Sequence, residues 1–307
     1  MTSTLTAPDP VRTAPAEPPP VVRVSGLRMS YGTQQVLRGI DFTITRGQIV
    51  ALLGPNGAGK STTIEILEGF RLRSAGEVSV LGVDPARGDE AWRARLGIVL
   101  QSWRDHGKWR VRELLSHFGS FYRPYATDGV TRPWDVDELL AAVGLTEQAD
   151  KPIAALSGGQ RRRLDIAVGI VGRPEVLFLD EPTVGFDPQA RQEFHELLRT
   201  LADARMTILL TTHDLHEAEK LADQVLILAG GRIAARGTVA ELAREFGGEA
   251  EVTWTSGGRA HSARTADVSA FVRQLIQDGA EVDDLQVHRA GLEEIYLSMV
   301  AGEEAKR

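Results

Sequence analysis

The stretch Gly54-Pro55-Asn56-Gly57-Ala58-Gly59-Lys60-Ser61 follows the apolar run Ile49-Val50-Ala51-Leu52-Leu53 and precedes a helix-like segment, Ser61 to Gly69. Strand, glycine loop, Lys-Ser and helix, in that order, make a phosphate site of this pattern. Glycines let the backbone curl until several N–H groups converge on one anion. The helix that follows aims the positive end of its dipole at the same point. Lys60 is expected to reach the β- and γ-phosphates and the Ser61 hydroxyl to ligate Mg2+. Asn56 and Gly57 then serve to shape the loop. The stretch therefore implies a bound nucleoside triphosphate.

Around it, short β-branched runs recur at Val21–Val24, Phe42–Ile44, Val78–Leu81, Ile98–Leu100, Val176–Leu179, Thr207–Leu210 and Val225–Leu228. Segments of helical period lie between many of them, such as Val111–Phe121 and Ala190–Leu201. Strands alternating with helices predict an α/β fold with a mixed, mainly parallel central sheet. Pro124 to Ala155 lacks strand signals and is expected to be helical, within an inserted helical subdomain of about residues 102–172.

The chain has 307 residues, room for one large domain or two smaller ones. With 42% hydrophobic and 25% charged residues it reads as an ordinary globular protein. Residues 1–20, with Pro8, Pro10, Pro15, Pro18, Pro19 and Pro20 and no signal-peptide core, read as a disordered tail. There is no cysteine, which removes disulfides, zinc thiolates and cysteine nucleophiles from consideration. The net charge of −7 argues against a nucleic-acid binder. No apolar run approaches the roughly 20 residues that span a bilayer, so any membrane passage needs a separate partner.

A second motif, Val176-Leu177-Phe178-Leu179-Asp180-Glu181, carries two carboxylates to the end of an apolar strand. Ligands of open α/β sheets sit at that end. Asp180 is expected at the Mg2+ site, and Glu181 as the general base that orients a water toward the γ-phosphorus. A third motif is Leu156-Ser157-Gly158-Gly159-Gln160, just ahead of a helical stretch, Arg161 to Val171. Ser157 and Gln160 fit a capping box. Two glycines in the first turn weaken a helix, which suits an end whose N–H groups meet a ligand.

Together these motifs closely resemble the ATP-binding cassette (ABC) ATPases, over roughly Val21 to Phe246. Leu156–Gln160 matches the signature motif of that family, Gln101 its Q-loop glutamine, Asp187 its D-loop and His213 its switch histidine. Tyr31, before Gly32 and ahead of the first strand pair, matches the aromatic residue that stacks on adenine. The resemblance implies that Gly54, Pro55, Asn56, Gly57, Ala58, Gly59, Lys60, Ser61 and Thr62 hold ATP together with Tyr31, and that Ser61, Gln101 and Asp180 hold Mg2+. It implies Glu181, His213, Gln101 and Lys60 as the hydrolytic set. It also implies that Ser157, Gly158, Gly159, Gln160 and Asp187 complete the site from a second copy of the chain, in an ATP-bridged homodimer. A metal reading for His213 and His216 finds no suitable spacing and no third ligand.

The same resemblance places the docking of a transmembrane permease on the region after Gln101, which carries Trp103, Trp109, Phe118, Phe121, Tyr122, Tyr125 and Trp134. Most aromatics in such a run belong to a core. The polar and aromatic segment Ser102 to Trp109 departs from the family there. Residues 247–307 are expected to form a small α+β appendage: a strand at Glu251–Trp254, a helix at Val268–Gln277, a strand at Val282–Val287 and a helix from Leu292. Its ending resembles the tail of exporter ATPases of the daunorubicin-resistance type, which implies export of a drug-like or lipid-like compound, and a place on the cytoplasmic side of the membrane. Two other classes remain open at this point. One is an ABC ATPase working on ribosomes or DNA, although paired cassettes, long heptads and zinc cysteines are missing. The other is a module that binds ATP without turnover, against which Lys60, Asp180, Glu181 and His213 argue.

Overall fold

A computed structural model describes residues 19–99, 107–183, 186–278, 282–288 and 291–304. The expectations for the tail before residue 19, for Gln101 and Trp103, and for Val184-Gly185 lie outside the described residues. Strands β1 (Val22–Tyr31) and β2 (Gln34–Ile44) form a long antiparallel hairpin turned at Gly32-Thr33. Tyr31 is therefore the last residue of the first strand, not a residue ahead of the strand pair. The apolar stretches Val21–Val24 and Phe42–Ile44 marked only its far end, because the rest alternates with polar residues. Next come β3 (Ile49–Leu53), α1 (Lys60–Leu67), and β4 (Ala75–Val80), which pairs with β1 to complete a three-stranded antiparallel sheet.

A short helix α2 (Glu90–Arg93) leads to β5 (Leu96–Val99). Three helices follow: α3 (Val111–Ser120), α4 (Val136–Ala142) and α5 (Gly158–Ile170). The stretch from Pro124 to Ala155 is less helical than its lack of strand signals suggested. Beyond α4 it holds three-residue 3-10 turns such as Thr146–Gln148 and Ile153–Ala155. Pro133, Gly144 and Pro152 interrupt any longer run.

The remaining core elements are β6 (Val176–Asp180), α6 (Pro188–Asp203), β7 (Thr207–Thr212), α7 (Leu215–Leu221), β8 (Gln224–Ala229), β9 (Arg232–Gly237) and α8 (Val239–Phe246). The central sheet has the order β5-β6-β7-β3-β8-β9. Its neighbours are parallel except β9, which runs antiparallel to β8. This is the mixed, mainly parallel sheet expected of an α/β fold. Because β7 lies between β3 and β6, the phosphate loop, the Asp180-Glu181 pair and His213 all leave the same edge of adjacent strands.

Both faces of that sheet are covered, as its continuous apolar strands require. Ile49, Ala51 and Leu53 face a core shared with α3, α5, α6 and α7. Val50 and Leu52 face a second core shared with α1 and the β2-β1-β4 sheet. Phe178 and Phe194 are fully buried, and each such side chain contributes about 1.5–3 kcal/mol.

Strands β10 (Ala250–Ser256), β11 (Arg259–Thr265) and β12 (Asp283–His288) form a separate antiparallel sheet in the order β11-β10-β12. Helix α9 (Val268–Gln277) packs on it, with Phe271 edge-on to Trp254 at 5.6 Å while His261 stacks on the same indole. The last helix, α10 (Leu292–Glu304), returns to the larger unit: Leu292 and Ile295 are buried in its core, and Leu292 N donates to Glu219 Oε1 at 2.7 Å.

Candidate functional site

Helix α1 begins at Gly59 with a left-handed φ of 108° and no side-chain cap, so no side chain of its own competes for the N–H groups of the first turn. A Cβ at Gly59 would meet Leu37 Cδ2 at 2.7 Å, and one at Gly54 would meet the Leu228 carbonyl oxygen at 2.4 Å. Gly59 is thus required by packing and backbone angle alike, and Gly54 by packing. Lys60 is buried, its Nζ donating to the Gly54 carbonyl at 2.7 Å and lying 3.9 Å from Glu181 Oε1. Burial pulls its ammonium below the ordinary lysine range, while the charges of Glu181 and Asp180 act the other way. Tyr31 lies beside the loop: its hydroxyl is 3.4 Å from Thr62 Oγ1, and the Arg71 guanidinium covers one face of the ring, 5.1 Å from its centroid.

Asp180 stands opposite the loop. Ser61 Oγ donates to Asp180 Oδ2 at 3.0 Å, and Thr211 Oγ1 donates to Asp180 Oδ1. Two hard oxygen donors side by side are the ligand chemistry that Mg2+ takes. Glu181 follows with φ 45°, a left-handed backbone unusual for glutamate. Strain of this sort, of order 1–3 kcal/mol, gathers at functional sites. It is held by two acceptors on β7, since Glu181 N donates to Thr211 Oγ1 at 2.9 Å and to Thr211 O at 3.2 Å. The Glu181 carboxylate lies 3.5 Å from His213 Nδ1. Lys60, Ser61, Asp180, Glu181 and His213, which span 154 positions of sequence, therefore form one cluster.

Ser157, Gly158, Gly159 and Gln160 lie elsewhere. Ser157 Oγ accepts from Gln160 N at 3.3 Å, and Gln160 Oε1 accepts from Ser157 N at 3.1 Å, the expected capping box. The tip is open: Ser157 and Gly158 are exposed, and a Cβ at Gly158 would meet nothing within 4 Å. Asp187 caps α6 through Ala190 N at 2.8 Å, with Pro188 in the first turn. Together with Arg163 and Glu193, these residues line a cavity of about 810 Å3. His216 lies 3.7 Å from Glu219 on its own helix.

Several residues here were not singled out from sequence. Arg162 is buried on α5 and donates through Nε to the Pro182 carbonyl at 2.9 Å, joining the signature helix to the turn that carries Glu181. Burial lowers its guanidinium below the usual range, and Asp165 opposes that shift. Thr211 is fully buried at the end of an apolar strand, and a buried polar residue in such a place was the available signal. Thr238-x-x-Glu241, a capping box, marks the start of α8 in the same way. Glu68, where α1 ends, is buried, and its carboxyl is pushed up to about 8 by burial first, then by the charges of Asp180 and Glu65.

A strand, a glycine-wrapped lysine, a facing Asp-Glu pair and a parallel sheet define a P-loop nucleoside triphosphatase. Residues 37–184 match the family model for the ABC transporter. The chain is 35% identical to a daunorubicin resistance ATP-binding protein, DrrA3, of Streptomyces coeruleorubidus, covering 91% of this chain and 95% of the relative. It is 33% identical to the linearmycin resistance ATP-binding protein LnrL of Bacillus subtilis, covering 89% and 84%. A solved ATP-binding subunit of an ABC transporter superposes with a TM-score of 0.64 at 29% identity, covering 74% of this chain and 93% of that one. The chain belongs to the ABC transporter family as an ATP-binding subunit, and it is an ATPase.

Proposed function

We propose that this subunit powers export of a drug-like or lipid-like compound through a separate permease, and that two copies clasp ATP between them. The observation that carries the reading is the split of the nucleotide residues into two open surfaces. One gathers Lys60, Ser61, Asp180, Glu181 and His213. The other is the Ser157–Gly159 tip, exposed at Ser157 and Gly158, with Asp187. A helix end whose Gly158 and Gly159 N–H groups have no partner among the described residues suits the γ-phosphate held by a facing copy. In this reading Lys60 and the loop amides bind the phosphates, and Tyr31 carries the adenine on the ring face that Arg71 leaves open. Ser61 and Asp180 would hold Mg2+, which supplies charge neutralisation at the phosphates. Glu181 takes the proton of the attacking water, and His213 contacts the γ-phosphate and steadies the Glu181 carboxylate. Gln101 falls outside the described residues, and its role stays with the resemblance.

Export is supported by the names of the relatives, two of them resistance proteins and one a Nod factor export ATP-binding protein of Ralstonia nicotianae, 43% identical over 73% of this chain and 68% of the relative. No helix among the described residues is long and apolar enough to cross a membrane. A membrane partner supplies that path, and the subunit sits at its cytoplasmic face. Phe70 and Leu72, about 70% exposed after α1, and Phe121 at the end of α3 are apolar side chains suited to a permease helix. Trp109, Phe118, Tyr122 and Trp134 pack against the core instead.

The test is a split between binding and turnover. Lys60→Ala is expected to lose most ATP binding. Glu181→Gln is expected to keep binding and to lose turnover by about 10²–10⁴-fold, the usual worth of a positioned base. Turnover near the wild-type rate in Glu181→Gln would refute its role.

A further inference from the structure

Helix α6 carries Arg191, His195 and Arg199 at four-residue spacing, which sets them one above another on a single face. The facing segment presents Asp214, Glu217 and Lys220 at three-residue spacing. The two rows meet in order. Arg191 Nη1 donates to Asp214 Oδ2 at 2.7 Å, His195 Nε2 lies 3.5 Å from Glu217 Oε1, and Arg199 Nη2 donates to the Lys220 carbonyl. Arg191, His195, Arg199, Glu217 and Lys220 line a cavity of about 670 Å3 together with Pro188. Each helix packs its own apolar face on the central sheet, through Phe194, Leu198 and Leu201 on α6 and through Ala218 and Leu221 on α7. Across the cavity the polar rungs join them.

What the rungs join gives them a role. The N-cap of α6 is Asp187, on the open surface with Ser157 and Gly158. The N-cap of α7 is Asp214, next in sequence to His213, whose ring reaches Glu181. Asp214 does two jobs, accepting from Glu217 N at 3.2 Å as the cap and from Arg191 as the first rung. A shift of α6 therefore carries Asp214, and with it the backbone that aims His213. The rung nearest the site is a charge-assisted, partly buried pair, the strong kind. In the middle rung Glu217 is buried and His195 half-buried, and neither His195 Nε2 nor the Glu217 oxygens have a hydrogen-bond partner among the described residues.

We infer that Arg191 is a positioning residue for hydrolysis: the ladder makes α6 and α7 one moving unit, so that contact of Asp187 with a facing copy sets the placement of His213 against Glu181. The inference rests on the role proposed above for His213. A small misplacement of a catalytic group costs up to about a hundredfold in rate. Arg191→Ala is expected to lower kcat about ten- to a hundredfold while KM for ATP stays within about twofold. Arg191→Lys keeps the charge but not the planar fork, and recovers part of the loss. Arg199→Ala leaves the Arg191–Asp214 rung beside His213 in place, and its kcat is expected to stay nearer to wild type than that of Arg191→Ala.

Asp214→Asn provides a second arm. Asparagine caps a helix as well as aspartate does, so this variant keeps the start of α7 and removes the charge of the rung. It is expected to match Arg191→Ala, and the double variant to be no slower than either single one, as coupled residues require. Equal losses in Arg191→Ala and Arg199→Ala, losses that add in the double variant, or wild-type kcat in Asp214→Asn would overturn the inference. His213→Ala separates the two levels. If it turns over at the wild-type rate, the role of His213 falls. If it is slow while Arg191→Ala is not, only the ladder falls.

Discussion

Replacing Glu68 with glutamine is expected to change how the protein responds to pH, and the size follows from its surroundings. Its carboxyl sits buried at the end of α1, near Asp180 and Glu65, and is raised from the ordinary 4.5 to about 8. Between those values the folded protein keeps a proton that the unfolded chain has released. Stability then falls as pH rises, with the full contribution present below the unfolded value and lost by about pH 8. At about 1.36 kcal/mol per unit, Glu68 alone removes about 3 kcal/mol of stability between roughly pH 6 and pH 9. Glu68→Gln has the shape of the protonated acid and nothing to release. Urea unfolding without nucleotide and with a chelator, at both pH values, isolates the effect, since every other titrating group is common to the two proteins. The variant is expected to be about 2 kcal/mol or more better off than wild type at the higher pH than at the lower. Parallel stability curves for the two proteins would refute the reasoning.

Tyr31→Ala is expected to weaken ATP binding about tenfold or more, the scale of one base stacked on one ring, while Tyr31→Phe keeps it; calorimetric affinities equal to wild type in the alanine variant would contradict the stacking role. Thr211→Val keeps the shape of the strand but leaves Asp180 Oδ1 and Glu181 N short of a partner. It should cost about 1–3 kcal/mol in thermal unfolding, and an unchanged melting temperature would contradict it.

The parts of this molecule that were legible in sequence are those encoded locally. Gly54 to Ser61 needs only its own glycines to make a phosphate loop, and Ser157 needs only Gln160 to cap a helix. Apolar runs such as Val176–Leu179 announce a doubly covered strand because every residue is buried. The edge strand β9 and the polar strand β11 escaped notice, since each is made by its neighbour: β8 pairs with one and β10 with the other. The left-handed backbone of Glu181 was equally invisible. It follows from Thr211, thirty residues on, supplying both acceptors for its N–H. Arg162 gave no sign of its role, for the three consecutive arginines Arg161–Arg163 in a helix read as a solvated face until one of them is found gripping the Pro182 carbonyl.

The central claim, that two copies share ATP across the Ser157–Gly159 tip, is tested most directly by light scattering of Glu181→Gln with and without ATP, beside the same protein carrying Gly158→Glu. The space at Gly158 is open in its own fold, and an acidic side chain suits a helix start, so the added residue leaves the monomer folded while repelling a facing triphosphate. The account predicts an ATP-dependent doubling of mass in Glu181→Gln and its loss when Gly158→Glu is added. A monomer in both, or a dimer that Gly158→Glu leaves intact, would contradict it.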